Sequence, residues 1–189
     1  MRHYTRIHRN FIWANRVAVS TSFGKNRRIY YMGGVDNWLI PTFDQRTPID
    51  YEQNYAYQTL ATNLRGFSQN IRNGNSFLLI NSELRFPIFS YFFNEPINLQ
   101  FIRDFQIIAF GDVGTAWTGW NPYNWSNSLY TSHYTDGSLN ISVTELKEPI
   151  VGGFGLGLRT KVLGYFIRGD MAWGVEDGKV SKKQKFYLS

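Results

Sequence analysis

The chain contains no cysteine and only three histidines among its 189 residues. Without thiols it can form neither a disulfide bond nor a cysteine-based metal site. His3 and His8 precede the first predicted strand and His133 lies in a distant loop, so no histidine spacing suits an imidazole metal site. A Gly-x-Ser-x-Gly elbow and a phosphate-cradling loop are also missing. We therefore expect no cofactor, no metal ion, no catalytic residue and no enzymatic activity.

Long apolar runs are missing too. No run approaches the roughly eighteen apolar residues that a membrane-spanning helix needs. Charged residues make up only 18% of the chain, whereas aromatic residues reach 17% and 17 residues are glycine. This balance is typical of glycine-bent strands ringed by aromatic side chains. A membrane protein with this composition must therefore cross the bilayer with strands.

The net charge of +6 could suit an anionic partner, but the Lys and Arg residues are spread along the chain. Because nucleic-acid sites cluster such residues on one face, we expect no nucleic-acid partner. The first ten residues are basic but have no apolar segment behind them, so they do not form a secretory signal. A membrane protein built from strands cannot reach the outer membrane without such a signal. We therefore expect residues 1–189 to be the tail of a longer polypeptide whose upstream part is missing here.

Alternation of apolar and polar residues with period two predicts six strands. They cover residues 11–24, 76–87, 101–117, 150–161, 165–176 and 185–189. The clearest one, 76–87, has Leu78, Ile80, Leu84 and Phe86 on one side and Asn81, Glu83 and Arg85 on the other. Consecutive polar side chains on one face are costly in a dry core but natural on the wall of a water-filled lumen.

Other strands add charged side chains to the same predicted inner face. With those of the clearest strand, the set is Glu83, Arg85, Asp104, Asp112, Arg159, Arg168 and Asp170. They could form a functional pathway or a mutually neutralising wall, and structural pairing is the default. Glycines at 153, 155 and 157 also point inward, which fits a wall that another backbone approaches closely.

Two long polar loops interrupt the strands, at residues 33–75 and 118–149. Loops of this length in a compact domain are usually functional or disordered. They alternate with short connections, as the outer loops and inner turns of an outer-membrane barrel do. From the residues alone, 33–75 is more simply a solvated surface excursion, and we predict that 118–149 is a second extracellular loop.

The first loop carries Leu64-Arg65-Gly66-Phe67, and about forty-five residues later the chain reads Phe110-Gly111-Asp112-Val113-Gly114. A guanidinium offers a fixed fork of donors that a carboxylate accepts two at a time. By periodicity, Asp112 and Gly114 face inward.

These two motifs resemble those of the bacterial surface antigen family, the outer-membrane superfamily of barrel-assembly insertases and two-partner secretion translocators. Leu64 to Phe67 is similar to the motif on the family's sixth extracellular loop, and Phe110, Asp112 and Gly114 match its Phe-x-Asp-x-Gly strand. In that family the loop arginine meets the acidic residue of the inner wall. The resemblance implies that the loop 33–75 folds into the lumen and that Arg65 contacts Asp112.

The resemblance also implies a fold, a place and a role. The fold is an all-β, antiparallel transmembrane barrel, of which the six strands would be the last of sixteen. The place is the bacterial outer membrane, in contact with its lipid. The role is insertion or translocation of proteins, with unfolded or partly folded polypeptides as partners. Barrels of this family end in a complete strand with a terminal aromatic residue, from which Tyr187-Leu188-Ser189 departs, so closure by these residues alone is not expected.

Other functions stay open on the sequence. The barrel could anchor an upstream propeller or lipase domain. A soluble β-sandwich with an aromatic binding surface is an alternative from another class, although it would require one dry strand face. A surface-bound enzyme is a more distant alternative.

Overall fold

The computed structural model describes residues 1–49, 55–93, 98–125, 127, 129–136, 139–144 and 147–189, with backbone alone described for 131–136 and 139–144. Within these ranges the chain is an all-β protein, and its helices are short. The strands are β1 (Arg2–His8), β2 (Phe11–Thr21), β3 (Arg27–Met32), β4 (Tyr55–Ala61), β5 (Arg72–Gly74), β6 (Ser76–Phe86), β7 (Gln106–Trp117), β8 (Thr131–Asp136), β9 (Leu139–Thr144), β10 (Val151–Val162), β11 (Tyr165–Glu176), β12 (Lys179–Val180) and β13 (Lys185–Leu188); the helices are α1 (Ile88–Phe92) and α2 (Gln100–Arg103). Among the described residues, neither helix has the length and hydropathy to cross a membrane.

The main sheet is an antiparallel meander. Its order is β1-β2-β6-β7-β10-β11-β12, and β13 pairs with β11 beside β12. The six predicted strands are β2, β6, β7, β10, β11 and β13. The expectation of six was wrong, because β1 and β12 also join this sheet. The apolar period could not reveal β1, since all seven of its residues are exposed.

The main sheet is open within the described residues. No ladder there joins β1 to β12 or β13, so these residues do not close a barrel. The expectation that closure needs more than this stretch agrees with that arrangement. The prediction was the last six strands of a sixteen-stranded barrel, whereas the described residues form one eight-stranded sheet, one of three strands and one of two.

The two long connections leave one end of the strands, and the connections after Phe86 and Val162 leave the other. The short turn at Asp177-Gly178 lies at the end with the long connections, because Val175 pairs with Gly152 and Glu176 pairs with Lys179. Ser76 pairs with both Thr21 and Trp117, so the segments 22–75 and 118–150 emerge at one end of the sheet. The link between β6 and β7, which contains both helices, lies at the other end. The tight turn at Leu163-Gly164 lies there too, and both of its residues have positive φ, as the favoured two-residue hairpin requires.

Both predicted loops contain strands. Within 33–75, β4 and β5 flank β3 in the three-stranded sheet, and β4 runs parallel to β3. Within 118–149, β8 and β9 form a hairpin. The sequence interpretation missed these strands, although Leu139, Ile141 and Val143 of β9 alternate with polar residues. Residues 50–54 lie outside the described part. Gly137, where the sequence Asp136-Gly137 predicts a turn, lies outside it too, as do residues 94–97, where Asn94-Glu95-Pro96 predicts a connection at the periplasmic rim.

The start of the third predicted strand was also wrong. Residues 100–103 form α2, and β7 begins only at Gln106. Short apolar runs do not distinguish a helical turn from a strand, and Phe101 and Ile102 gave no period long enough to decide.

The two faces of the main sheet differ in an unusual way. Its apolar face points outward and is uncovered. Members of that face include Trp13, Val17, Val19, Ile80, Leu84, Val113, Phe154, Leu156, Leu158 and Phe186, each at least 40% exposed. The polar face holds Asn81, Glu83, Asp112 and Asp170, each less than 9% exposed. Both faces have the side assignments that periodicity predicted.

The described residues of 33–75, which we call the inner segment, cover the polar face. Met32, Leu64, Phe67 and Ile71 pack there against Leu79 and neighbours in a hydrophobic cluster. A second cluster joins Val35 and Trp38 to Ile108, Phe110 and Tyr187. The hydrophobic core therefore lies between the inner segment and the sheet, on the same face as the buried charges.

Glycines allow this close packing. A Cβ atom at Gly153 would collide with the carbonyl oxygen of Arg65, whereas one at Gly111, on the apolar face of the neighbouring strand, would meet nothing within 4 Å. The inward glycine at 153 thus has the role that the sequence pattern predicted.

We expect Gly153→Ala to lower the free energy of unfolding by about 1 to 3 kcal/mol, because the new methyl group overpacks the contact with the inner segment. Gly111→Ala is the matched control and should change it by less than about 1 kcal/mol. Denaturant unfolding in detergent, followed by tryptophan fluorescence, measures both. Equal effects of the two variants would show that the inner segment does not press on β10.

Candidate functional site

The inner segment crosses the polar face along one row of the sheet. Ladder register aligns Asn81, Asp112, Gly153 and Gly174 on neighbouring strands. Gly66 has a φ of +98°, and a Cβ atom there would lie 2.6 Å from the backbone nitrogen of Gly174. Only glycine can make this approach without strain. The small residues of the row therefore let Arg65 and Gly66 lie directly on the sheet.

The predicted contact between Arg65 and Asp112 is present. Nε of Arg65 donates to Oδ2 of Asp112 at 2.6 Å, and one terminal nitrogen donates to Oδ1 at 2.7 Å. The backbone N–H of Arg65 also donates to Oδ2, at 3.2 Å. Both side chains are completely buried. The pair is thus a two-pronged, charge-assisted contact from which water is excluded.

Further groups enclose the guanidinium of Arg65. Its other terminal nitrogen donates to Oε1 of Glu83 at 2.9 Å and lies 3.7 Å from Oδ2 of Asp170. The ring of Phe110 lies 3.5 Å from the central carbon of the guanidinium. A cation over an aromatic face is attracted to it. Three carboxylates and one ring therefore hold a single side chain of the inner segment.

The remaining motif residues fix the backbone around this pair. Leu64 is fully buried and forms an isolated bridge with Gly34. Gly114 leaves room for the sulfur of Met32, which would lie 2.9 Å from a Cβ atom there. Phe67 packs against Gly174. Leu64 to Phe67, Phe110, Asp112 and Gly114 thus all contribute to the placement of the inner segment on the sheet.

Two residues of the site escaped sequence reasoning. The hydroxyl of Tyr187 accepts from the N–H of Gly66 and donates to the carbonyl of Phe67, both at 2.8 Å. Asn81 donates to Oδ1 of Asp112 at 2.7 Å. Asn81 was placed on the inner face but given no role. Tyr187 was noted only as part of an atypical end, although alternation with Phe186 and Leu188 could have shown that it points inward.

The other predicted inner-face charges form a connected network. Glu83 accepts from Arg85 at 2.7 Å and from Arg159 at 3.0 Å, in addition to Arg65. Arg168 pairs with Asp170. In the structure these contacts pair five of the predicted residues, namely Glu83, Arg85, Arg159, Arg168 and Asp170. Asp104 is the exception, since it pairs with Arg103 next to it, near the end of the strands.

We call Arg65 with Glu83, Asp112 and Asp170 the clamp, because their contacts hold the inner segment on the sheet. Glu83, Asp112 and Asp170 are engaged by guanidinium groups, and among the described residues no group of three or more His, Asp or Glu is arranged to hold a metal ion. His8 contacts the hydroxyl of Tyr91, and His3 contacts Thr5. The side chain of His133 lies outside the described part. The arrangement can fix or release the inner segment, and the absence of catalysis stays a prediction.

We expect Arg65→Ala or Asp112→Ala to cost roughly 3 to 5 kcal/mol of stability, because each leaves a buried charge without its partner. The double variant should cost less than the sum, since no charge is stranded. Denaturant unfolding measures the stability, and limited proteolysis measures exposure of the inner segment.

The control for this cycle is Arg103 with Asp104, an adjacent pair whose arginine side chain is 52% exposed. Its variants should cost about 0 to 1 kcal/mol. Arg72 is unsuitable, because it is buried and donates to Glu176 and to backbone carbonyls. Strictly additive effects of Arg65 and Asp112 would mean that the two residues do not act as a pair.

Comparison with known proteins gave no match. No protein-family model matches the chain, and neither a curated protein nor a solved structure matches it. What the site does must therefore follow from its own contacts.

Proposed function

We propose that this chain forms part of the wall of a bacterial outer-membrane β-barrel that inserts proteins into, or translocates them across, that membrane. The proposal extends the resemblance to the bacterial surface antigen family. In it, the apolar face contacts lipid, the polar face lines the lumen, and the inner segment folds into that lumen.

The observation that carries the proposal is the inverted distribution of polarity across the main sheet. Val113 and Leu156 on the apolar face are 48% and 52% exposed, whereas Asp112, next to Val113, is 1% exposed. In water, burial of apolar side chains drives folding, so an antiparallel sheet normally faces its core with its apolar side. A sheet with its apolar side out and its charges in is suited to lipid outside and polar groups inside.

Strand length supports the same environment. The strands β2, β6, β7, β10 and β11 have 11 or 12 residues each. A tilted strand crosses the hydrocarbon core with about 9 to 11 residues. These strands are therefore long enough to span a bilayer.

Aromatic residues gather at the end of the sheet with the connections after Phe86 and Val162. Phe86 packs against Tyr91 of α1 with ring centroids 4.8 Å apart, and Phe89 packs against Phe105 at 5.8 Å. Tyr165 and Phe166 at the nearby turn are exposed. Aromatic side chains favour the interface between lipid and water, so this end fits a membrane rim.

Open edges indicate that further strands complete the wall. Unpaired edge groups are costly in hydrocarbon, and closure of a barrel removes them. In the proposal, strands outside residues 1–189 pair with β1 and with the edge at β13. A total of sixteen rests on the resemblance alone.

The proposed role in protein insertion or translocation rests on the clamp. The site holds the inner segment by charge pairs and hydrogen bonds, which open and close without making or breaking covalent bonds. A passing polypeptide could use the space from which that segment moves. A firmly clamped segment equally suits a closed barrel that only anchors another domain, and this is the second candidate function.

Lipid contact can be tested directly, because the chain has no cysteine to interfere with labelling. Val113→Cys and Leu156→Cys should carry a fluorophore that brominated acyl chains quench in phospholipid vesicles. Lys179→Cys, in the exposed strand β12, is the aqueous control and should respond to iodide instead. Iodide quenching of all three labels would overturn the membrane assignment, as would a monodisperse, cooperatively melting protein without detergent.

A second test separates the two functions. If the native polypeptide inserts or translocates proteins, Arg65→Ala should lower the amounts of other proteins in the outer membrane, since the clamp positions the inner segment. If it is only an anchor, those amounts stay unchanged while its own upstream domain remains on the surface. Quantitative proteomics of outer-membrane fractions distinguishes these outcomes, with Arg103→Ala as the control.

A further inference from the structure

The polar face has more guanidinium groups than carboxylates. A cavity of about 160 Å³ beside the clamp is lined by Arg2, Arg16, Arg85, Arg159 and Arg168, with Glu83 as its single carboxylate. An arginine-rich cavity of this size attracts a small anion.

The ion pairs among the described residues do not balance the positive charge of the arginines around this cavity. The carboxylates that contact the network are Glu83, Asp112 and Asp170, and they are shared by Arg65, Arg85, Arg159 and Arg168. Arg2 and Arg16 have no side-chain hydrogen bond or ion pair within the described ranges. Six guanidinium groups therefore face three carboxylates, which leaves three positive charges in excess.

Strand register makes the excess costly. Arg2 pairs directly with Arg16 across β1 and β2, and Arg159 pairs directly with Arg168 across β10 and β11. Like charges opposite one another on one face destabilise a sheet. Arg159 and Arg168 each have a carboxylate partner, so the uncompensated pair is Arg2 with Arg16, and a negative group in the cavity would stabilise it.

A buried donor of the cavity is also unused. Nε of Arg159 is buried and has no hydrogen-bond partner among the described residues. The terminal nitrogen of the same side chain already binds Glu83 at 3.0 Å. A second acceptor is therefore needed on the Nε side.

We propose that this cavity binds a phosphate group. Guanidinium forks match the oxygens of phosphate, which accepts several charge-assisted hydrogen bonds at once. The cavity has room for a group of that size but not for a nucleotide. Its walls belong to the polar face, so water-borne phosphate reaches it more directly than a lipid headgroup does. This site does not depend on the proposed role in protein insertion.

Thermal unfolding of the full chain in detergent tests the site. At constant ionic strength, sodium phosphate replacing sodium chloride should raise the melting temperature in a saturable way, and ³¹P NMR should show line broadening. Dihexanoyl phosphatidic acid gives the second arm: tighter binding than phosphate assigns the site to a lipid headgroup. No saturable effect of either compound, or an equal effect of acetate, overturns the proposal.

Variants of Arg16 make the test specific. Arg16→Gln should weaken phosphate binding by at least about tenfold, since it removes a charge-assisted donor. Arg16→Glu places a carboxylate opposite Arg2, so it should raise the melting temperature without phosphate and abolish the response to phosphate. Arg103→Gln is the matched control, outside the cavity, and should bind as the unchanged chain does.

If Arg103→Gln weakens binding as much as Arg16→Gln, the effect is general electrostatics and the site is refuted. If Arg16→Gln does not fold, Arg2→Gln on the exposed edge strand β1 replaces it, with the same expected loss. Unchanged phosphate binding in Arg2→Gln would likewise refute the site.

Discussion

The arrangement of this protein depends on one buried charge pair. Arg65 reaches from the inner segment to Asp112 on β7, and Glu83 and Asp170 complete its surroundings. A guanidinium removed from water is tolerated only where acceptors satisfy it, so the segment must keep this position for the charge to stay buried. Glycine is therefore needed at 66, 153 and 174, because the backbone that carries Arg65 has to touch the sheet.

The same constraint explains why the sheet is inverted. A face that carries Asn81, Glu83, Asp112 and Asp170 cannot pack against an apolar layer without stranding polar groups. The inner segment supplies both apolar contacts and hydrogen bonds to that face, which leaves the apolar face outward. For a sheet in water this would be an unfavourable exposure, and in lipid it is the stable arrangement.

The clamp and the arginine-rich cavity are two parts of one electrostatic surface. On the side of β7 and β11, carboxylates pair with the guanidinium groups and bind the inner segment. At the β1 and β2 side, Arg2 and Arg16 face each other without such partners in the described chain. Fixed internal pairing on one side and unmatched charge on the other suit a surface that holds its own segment and also binds an external anion.

The sequence by itself determined the strands with strong alternation and the two faces of the sheet, and the resemblance of its two motifs implied the contact between Arg65 and Asp112. Period two and residue chemistry are local, so they can be read without coordinates. Tertiary structure alone decided the strands of the inner segment, the edge strand β1 and the roles of Tyr187 and Asn81, since their positions depend on partners far away in the chain. It also decided which guanidinium groups share a carboxylate, because cross-strand register sets distances that spacing along the chain does not encode.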